Sequence, residues 1–173
     1  NLSIAPVGTT NGVSVVNGGP ILIDTNGGSL TLVNALQDIV SNGGLITIYT
    51  GAGNVIQNNG ADIISSGGDI ELEIASLIQN PDSKIDAGTG NVNIYATGNI
   101  ALDEIKGNIV DIRTTGGYIE EQTPDTERDI TATDLVLSAA NGIGSVDMLE
   151  TEVSRVNAYN STSGNIQIDN VGN

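Results

Sequence analysis

Seven times in this chain a glycine is followed, two and four residues later, by an aliphatic residue: Gly19 (Ile21, Ile23), Gly28 (Leu30, Leu32), Gly44 (Ile46, Ile48), Gly68 (Ile70, Leu72), Gly90 (Val92, Ile94), Gly98 (Ile100, Leu102) and Gly164 (Ile166, Ile168). A glycine that opens a two-residue alternation marks a short strand with one buried face. One such strand cannot bury that face alone. A chain made of many must stack them, which makes it a solenoid. The aliphatic residues of these pairs are the expected core, and Gly28, Gly44, Gly68, Gly90, Gly98 and Gly164 the expected turns.

The spacing gives the architecture. The strand starts at Gly44, Gly68, Gly90, Gly117, Gly142 and Gly164 are separated by 24, 22, 27, 25 and 22 residues. Between them lie secondary aliphatic strands at 61–64, 84–87, 108–112, 129–133 and 156–159. A coil of about 23 residues with two or three short strands predicts an all-β fold, a right-handed parallel β-helix of about seven coils. Residues 30–40 fit a helix or a strand, an Asn34-Ala35 turn and a second strand; the second reading keeps the coil count regular. Tyr49 and Tyr95 each sit five residues after their glycine, so both are expected to point outward on one face. Asn26, Asn42, Asn91, Asn99, Asn108, Asn141 and Asn165 stand beside turn glycines, where left-handed backbone angles are expected.

Composition agrees. The chain has 173 residues, 38% of them hydrophobic but only 2% aromatic, with no Phe, Trp, Cys or His. An interior of Ile, Val, Leu and Ala suits narrow stacked strands, where branched side chains sit on the rung below. Without Cys or His there is no disulfide, no thiolate or imidazole metal site and no triad of the usual form. The formal net charge is −16, from 21 acids against five bases, which repels nucleic acid and anionic membranes. No apolar run approaches the roughly 20 residues that span a bilayer.

The repeat weakens after Gly107 and Gly117. There the second inward slot falls on Asp111 and Glu121, so the register must shift or the strand must end. The stretch 120–129 follows: polar, proline-containing and free of aliphatic residues, it is expected to leave the rod as an acidic loop. Joined tail to head, the chain places Leu2 and Ile4 nine residues after Ile166 and Ile168, the step that separates Ile100 from Ile109. This raises the expectation that it is one period of a longer tandem array.

Segments such as Thr97-Gly98-Asn99-Ile100-Ala101-Leu102, Leu137-Ser138-Ala139-Ala140-Asn141-Gly142-Ile143-Gly144-Ser145 and Ser163-Gly164-Asn165-Ile166-Gln167-Ile168 resemble the repeats of filamentous-haemagglutinin-like large exoproteins, giant bacterial surface or secreted adhesins. So does the linking phrase from Leu149 to Ala158. The resemblance covers about Gly18 to Asn173. It implies a right-handed parallel β-helix and export to the cell surface or medium. It carries over no catalytic or binding residue.

Gly60-Ala61-Asp62 and Gly67-Gly68-Asp69 match part of the calcium-binding nonapeptide, without its nine-residue succession. The acidic loop adds Glu120, Glu121, Asp125, Glu127 and Asp129 as hard oxygen ligands, again without ordered spacing. Asp62, Asp69, Glu120, Glu121, Asp125 and Asp129 are therefore weak calcium candidates, and no other cofactor is expected. Glycoside cleavage needs two carboxylates across a groove. Asp82, Asp86, Asp103 and Glu104 are merely close in sequence, and no catalytic constellation stands out. The expected role is a structural segment of an extracellular fibre, with copies of itself or adjacent repeats stacked end to end on its open strand edges. The alternative is an adhesin module in which the flank, with Tyr49, Tyr95 and the 120–129 loop, binds a host or matrix glycan or protein.

Overall fold

The computed structural model describes residues 1–5 and 12–171. Among these there is no helix, and nineteen strands follow one another: β1 (Leu2–Ile4), β2 (Val13–Val15), β3 (Ile21–Asp24), β4 (Leu30–Leu32), β5 (Ile39–Ser41), β6 (Ile46–Tyr49), β7 (Val55–Gln57), β8 (Ile63–Ile64), β9 (Ile70–Ile74), β10 (Leu77–Gln79), β11 (Lys84–Asp86), β12 (Val92–Ala96), β13 (Ile100–Leu102), β14 (Glu104–Lys106), β15 (Ile109–Thr114), β16 (Ile119–Glu121), β17 (Ile130–Ala139), β18 (Leu149–Asn160) and β19 (Ile168–Asn170). No helix among the described residues is long and apolar enough to cross a membrane. The stretch 30–40 is strand, turn and strand, closed by a hydrogen bond from Gln37 N to Asn34 O of 2.9 Å.

The chain winds around three faces. The first holds β1, β4, β7, β10, β13 and β16, extended by single bridges at Ile143 and Ile166. The second holds β2, β5, β8, β11 and β14; the third holds β3, β6, β9, β12 and β15. The two merge in the long strands β17 and β18, so that β17 pairs with both β14 and β15. Every strand pairing is parallel, and the whole is a right-handed parallel β-helix of about seven turns. Successive partners on the first face (Leu2, Leu30, Val55, Leu77, Ile100, Ile119, Ile143, Ile166) step by 28, 25, 22, 23, 19, 24 and 23 residues.

The expected strand starts belong to two faces. Gly44, Gly68 and Gly90 precede strands of the third face, whereas Gly117, Gly142 and Gly164 precede rungs of the first. The 27-residue step from Gly90 to Gly117 is thus a change of face. The true neighbour of Val92 is Val110, only 18 residues on, because the corner between them is shortened. β1 lies on the same face as Ile166, where whole coils separate neighbours, so its nine-residue distance in a tail-to-head joining is not a coil.

Branched side chains fill the interior as expected. Leu30, Leu32, Ile46, Ile48, Ile70, Leu72, Val92, Ile94, Ile100 and Leu102 are wholly buried, and Ile21 and Ile23, on the first rung of their face, nearly so. Burial of each such side chain contributes about 1.5–3 kcal/mol. Ile166 and Ile168 differ: on the last rung among the described residues, Ile166 is 44% exposed and Ile168 half-buried. After Gly107 the register does shift by one, turning Val110 and Ile112 inward and Asp111 outward.

The turn glycines act by lacking a side chain, and of the six expected turns only Gly164 (φ 88°) is left-handed, which corrects the expectation at Gly28, Gly44, Gly68, Gly90 and Gly98. A Cβ on Gly68 would stand 2.4 Å from Gly44 O, and one on Gly44 would stand 2.3 Å from Gly19 O. The left-handed residues come one position earlier, at Gly43 (φ 95°) and Gly67 (φ 120°). Of the asparagines named above, only Asn26 is left-handed (φ 52°).

Candidate functional site

The corner where the first face passes to the second collects the polar chemistry. The inward column Leu32, Gln57, Gln79, Leu102 and Glu121 mixes aliphatic with polar side chains. Gln57 and Gln79 are wholly buried. Gln57 Nε2 donates to Ala61 O (2.7 Å) and Lys84 O (3.0 Å), fastening one coil to the next. Glu121 ends its strand at this place, as a carboxylate in an inward slot requires.

On the second face one register column runs Lys84, Glu104, Asp129, Glu150, Asp169. Asp129 and Glu150 are thereby neighbours on adjacent rungs, and Glu121 meets them from the first face. One carboxylate oxygen from each of Glu121, Asp129 and Glu150 lies within 4.8 Å of the others. Asp129 is only 4% exposed. Its Oδ2 accepts from Glu150 N (2.8 Å), and Glu121 Oε1 accepts from Asp125 N (3.0 Å). Glu121 Oε2 and Glu150 Oε2 are buried without a hydrogen-bond partner.

Burial sets the electrostatics. Desolvation, reinforced by neighbouring acids, pushes Asp129 up to about 8 and Glu121 up to about 7. Asp103, also pushed up chiefly by desolvation, lies at about 6. Its Oδ2 accepts from Ser83 N (3.1 Å) in a cleft of about 750 Å3 beneath the acidic loop. The corner therefore keeps protons at pH values where free carboxylic acids have lost them.

The six calcium candidates do not converge. Asp62 accepts from Lys84 N (3.1 Å) and pairs with Lys84 Nζ (3.7 Å) on the second face. Asp69 lies before the third face and accepts from Asn91 N (2.7 Å). Glu120 is 6% exposed, and both of its oxygens are taken, by Ser145 N and Val146 N (3.0 Å each). Asp125 is exposed and closes a turn with Glu127 N (2.6 Å). Only Glu121 and Asp129 come together. Calcium takes roughly six to eight oxygens, and two of those at this corner already accept backbone hydrogen bonds. The corner fits proton retention better than a calcium cage.

Glu150 was missed from sequence, although a signal existed. Acids recur at coil spacing through Glu104, Asp129, Glu150 and Asp169, 25, 21 and 19 residues apart. The corner hydroxyls were missed as well. Ser41 Oγ accepts from Gly44 N (3.0 Å) and donates to Gly19 O (3.0 Å), and Thr114 Oγ1 accepts from Gly117 N (3.1 Å). Both belong to a repeated phrase, Ser or Thr three residues before the close-packed glycine.

No protein-family model matches the chain, and no curated protein or solved structure does so either.

Proposed function

We propose that this chain is a structural segment of an extracellular fibre or filamentous surface protein, in the manner of the large exoproteins its repeats resemble. It acts as a stiff spacer, and further coils, from a neighbouring repeat or a second copy, continue it end to end. One observation carries the reading: the core is open at its last rung. Val156 continues the inward column of Val92, Val110 and Leu135, yet it is 50% exposed, with no described strand stacked on this part of β18. A parallel coil laid on β18 would bury it and pair the strand's free edge. The reading assigns the chain no catalysis.

Electron microscopy of the purified chain over a concentration series tests this. Rods that lengthen with concentration, with a cross-strand reflection near ~4.8 Å along the axis, are expected. Particles of one fixed length at every concentration overturn the stacking role.

A further inference from the structure

The third face carries two outward columns. In register order they read Thr47, Glu71, Asn93, Asp111 and, beside them, Tyr49, Glu73, Tyr95, Arg113. Tyr49 and Tyr95 are 44% and 43% exposed. They stand two rungs apart, roughly 9.6 Å along the rod, with Glu73 on the rung between. Together with Glu71 and Asn93 they line a groove of about 290 Å3. Both glutamates are exposed, and neither side chain has a hydrogen-bond or ion-pair partner among the described residues.

One rung further the same columns hold a cation. Arg113 follows Tyr95 in its column and places Nε and Nη2 on Asp111 at 2.7 and 2.8 Å. Asp111 stands in the column of Glu71, and Arg113 in the column of Glu73. Tyrosine, carboxylate and guanidinium therefore combine on one side of Tyr95. On its other side the tyrosines and carboxylates recur without a base.

We propose that the groove between Tyr49 and Tyr95 binds an arginine side chain of a partner protein. Glu71 and Glu73 supply the charge, and the two rings supply faces on which a planar guanidinium stacks. A guanidinium meets both demands, whereas a lysine ammonium offers no plane to stack. A sugar would use the rings but leave two unpaired anions without a counter-charge. This binding role does not depend on the fibre role.

The test is a titration of the isotope-labelled chain with N-acetyl-arginine amide, followed by amide chemical shifts. Saturable shifts confined to 47–49, 71–73 and 93–95 are expected, with none from the neutral citrulline analogue. Glu73→Gln should weaken binding by about three- to fivefold and Tyr95→Ala by a similar factor, while Glu104→Gln, which removes an exposed charge on another face, changes it less than about 1.5-fold. All three side chains are exposed, so an unchanged melting curve verifies each fold. Shifts spread over the whole acidic surface, an equal loss in Glu104→Gln, or cellotetraose binding in the groove where arginine does not, would each overturn the proposal.

Discussion

The corner between the second and third faces is built in two ways. In the N-terminal coils it is a tight turn. Ser41-Asn42-Gly43-Gly44 and Ser65-Ser66-Gly67-Gly68 each place a left-handed glycine before a glycine packed against the coil below. In the C-terminal coils the turn is gone, and β17 and β18 run across both faces as single strands of 10 and 12 residues. The close-packed position passes by register from Gly68 and Gly90 to Thr133 and Ser154, both exposed. Glycine is demanded by a sharp corner resting on another sharp corner. Once the strand straightens, the same position points to solvent and takes an ordinary polar residue.

The largest effect that sharpens this contrast lies in the interior. Ile94→Ala, in the middle of the third face, should cost about 2–5 kcal/mol by denaturant unfolding. Val156→Ala, in the same kind of column at the open end, should cost under about 1 kcal/mol in the isolated chain, because its side chain is already half in water. Equal costs would break the distinction between closed and open rungs.

Next comes the corner itself. Gly68→Ala forces a Cβ against the Gly44 carbonyl and should cost about 1–3 kcal/mol, whereas Thr133→Ala should stay within roughly 0.5 kcal/mol. Thermal unfolding of both variants is the check. A harmless Gly68→Ala would show that the N-terminal corners adjust freely.

A third contrast is pH dependence, which should be concentrated in the C-terminal coils. Asp129 and Glu121 bind their protons more tightly folded, at about 8 and 7, than unfolded near 4. The stability they contribute is complete below about pH 4 and is lost as pH rises through 7 to 8. Melting temperature should therefore fall between pH 5 and pH 8.5. Asp129→Asn should flatten that fall and stabilise the chain at pH 8.5 by about 1–2 kcal/mol. The smallest effect belongs to Arg155, whose side chain is 75% exposed in its pair with Asp134. Arg155→Ala should leave the melting temperature nearly unchanged, and high salt should shrink even that difference.

These two regions also explain what could be read in advance. The glycine-aliphatic alternation revealed the winding and the inward residues that follow its glycines, because period-two burial is local: Ile70 and Leu72 are inward whatever lies elsewhere. Which face a glycine precedes is not local, so Gly90 and Gly117 looked equivalent although they open strands of different faces. The 129–133 strand was visible, but its continuation to Ala139 was not. Straightness is set by the corner below it, and no residue of Thr131-Ala132-Thr133 signals it. For the carboxylate corner, Glu121 and Asp129 could be suspected from the loop. Their convergence with Glu150 depends on coil register, which only the fold supplies.

The parallel winding has a consequence for length. Among the described strands, each interior rung hydrogen-bonds to the one before it and the one after it. A whole turn can therefore be added or removed with disturbance only at its two seams. A molecule built on this plan is a ruler: the distance it measures is set by how many times it winds, and that number can change by simple duplication without redesign of the remainder.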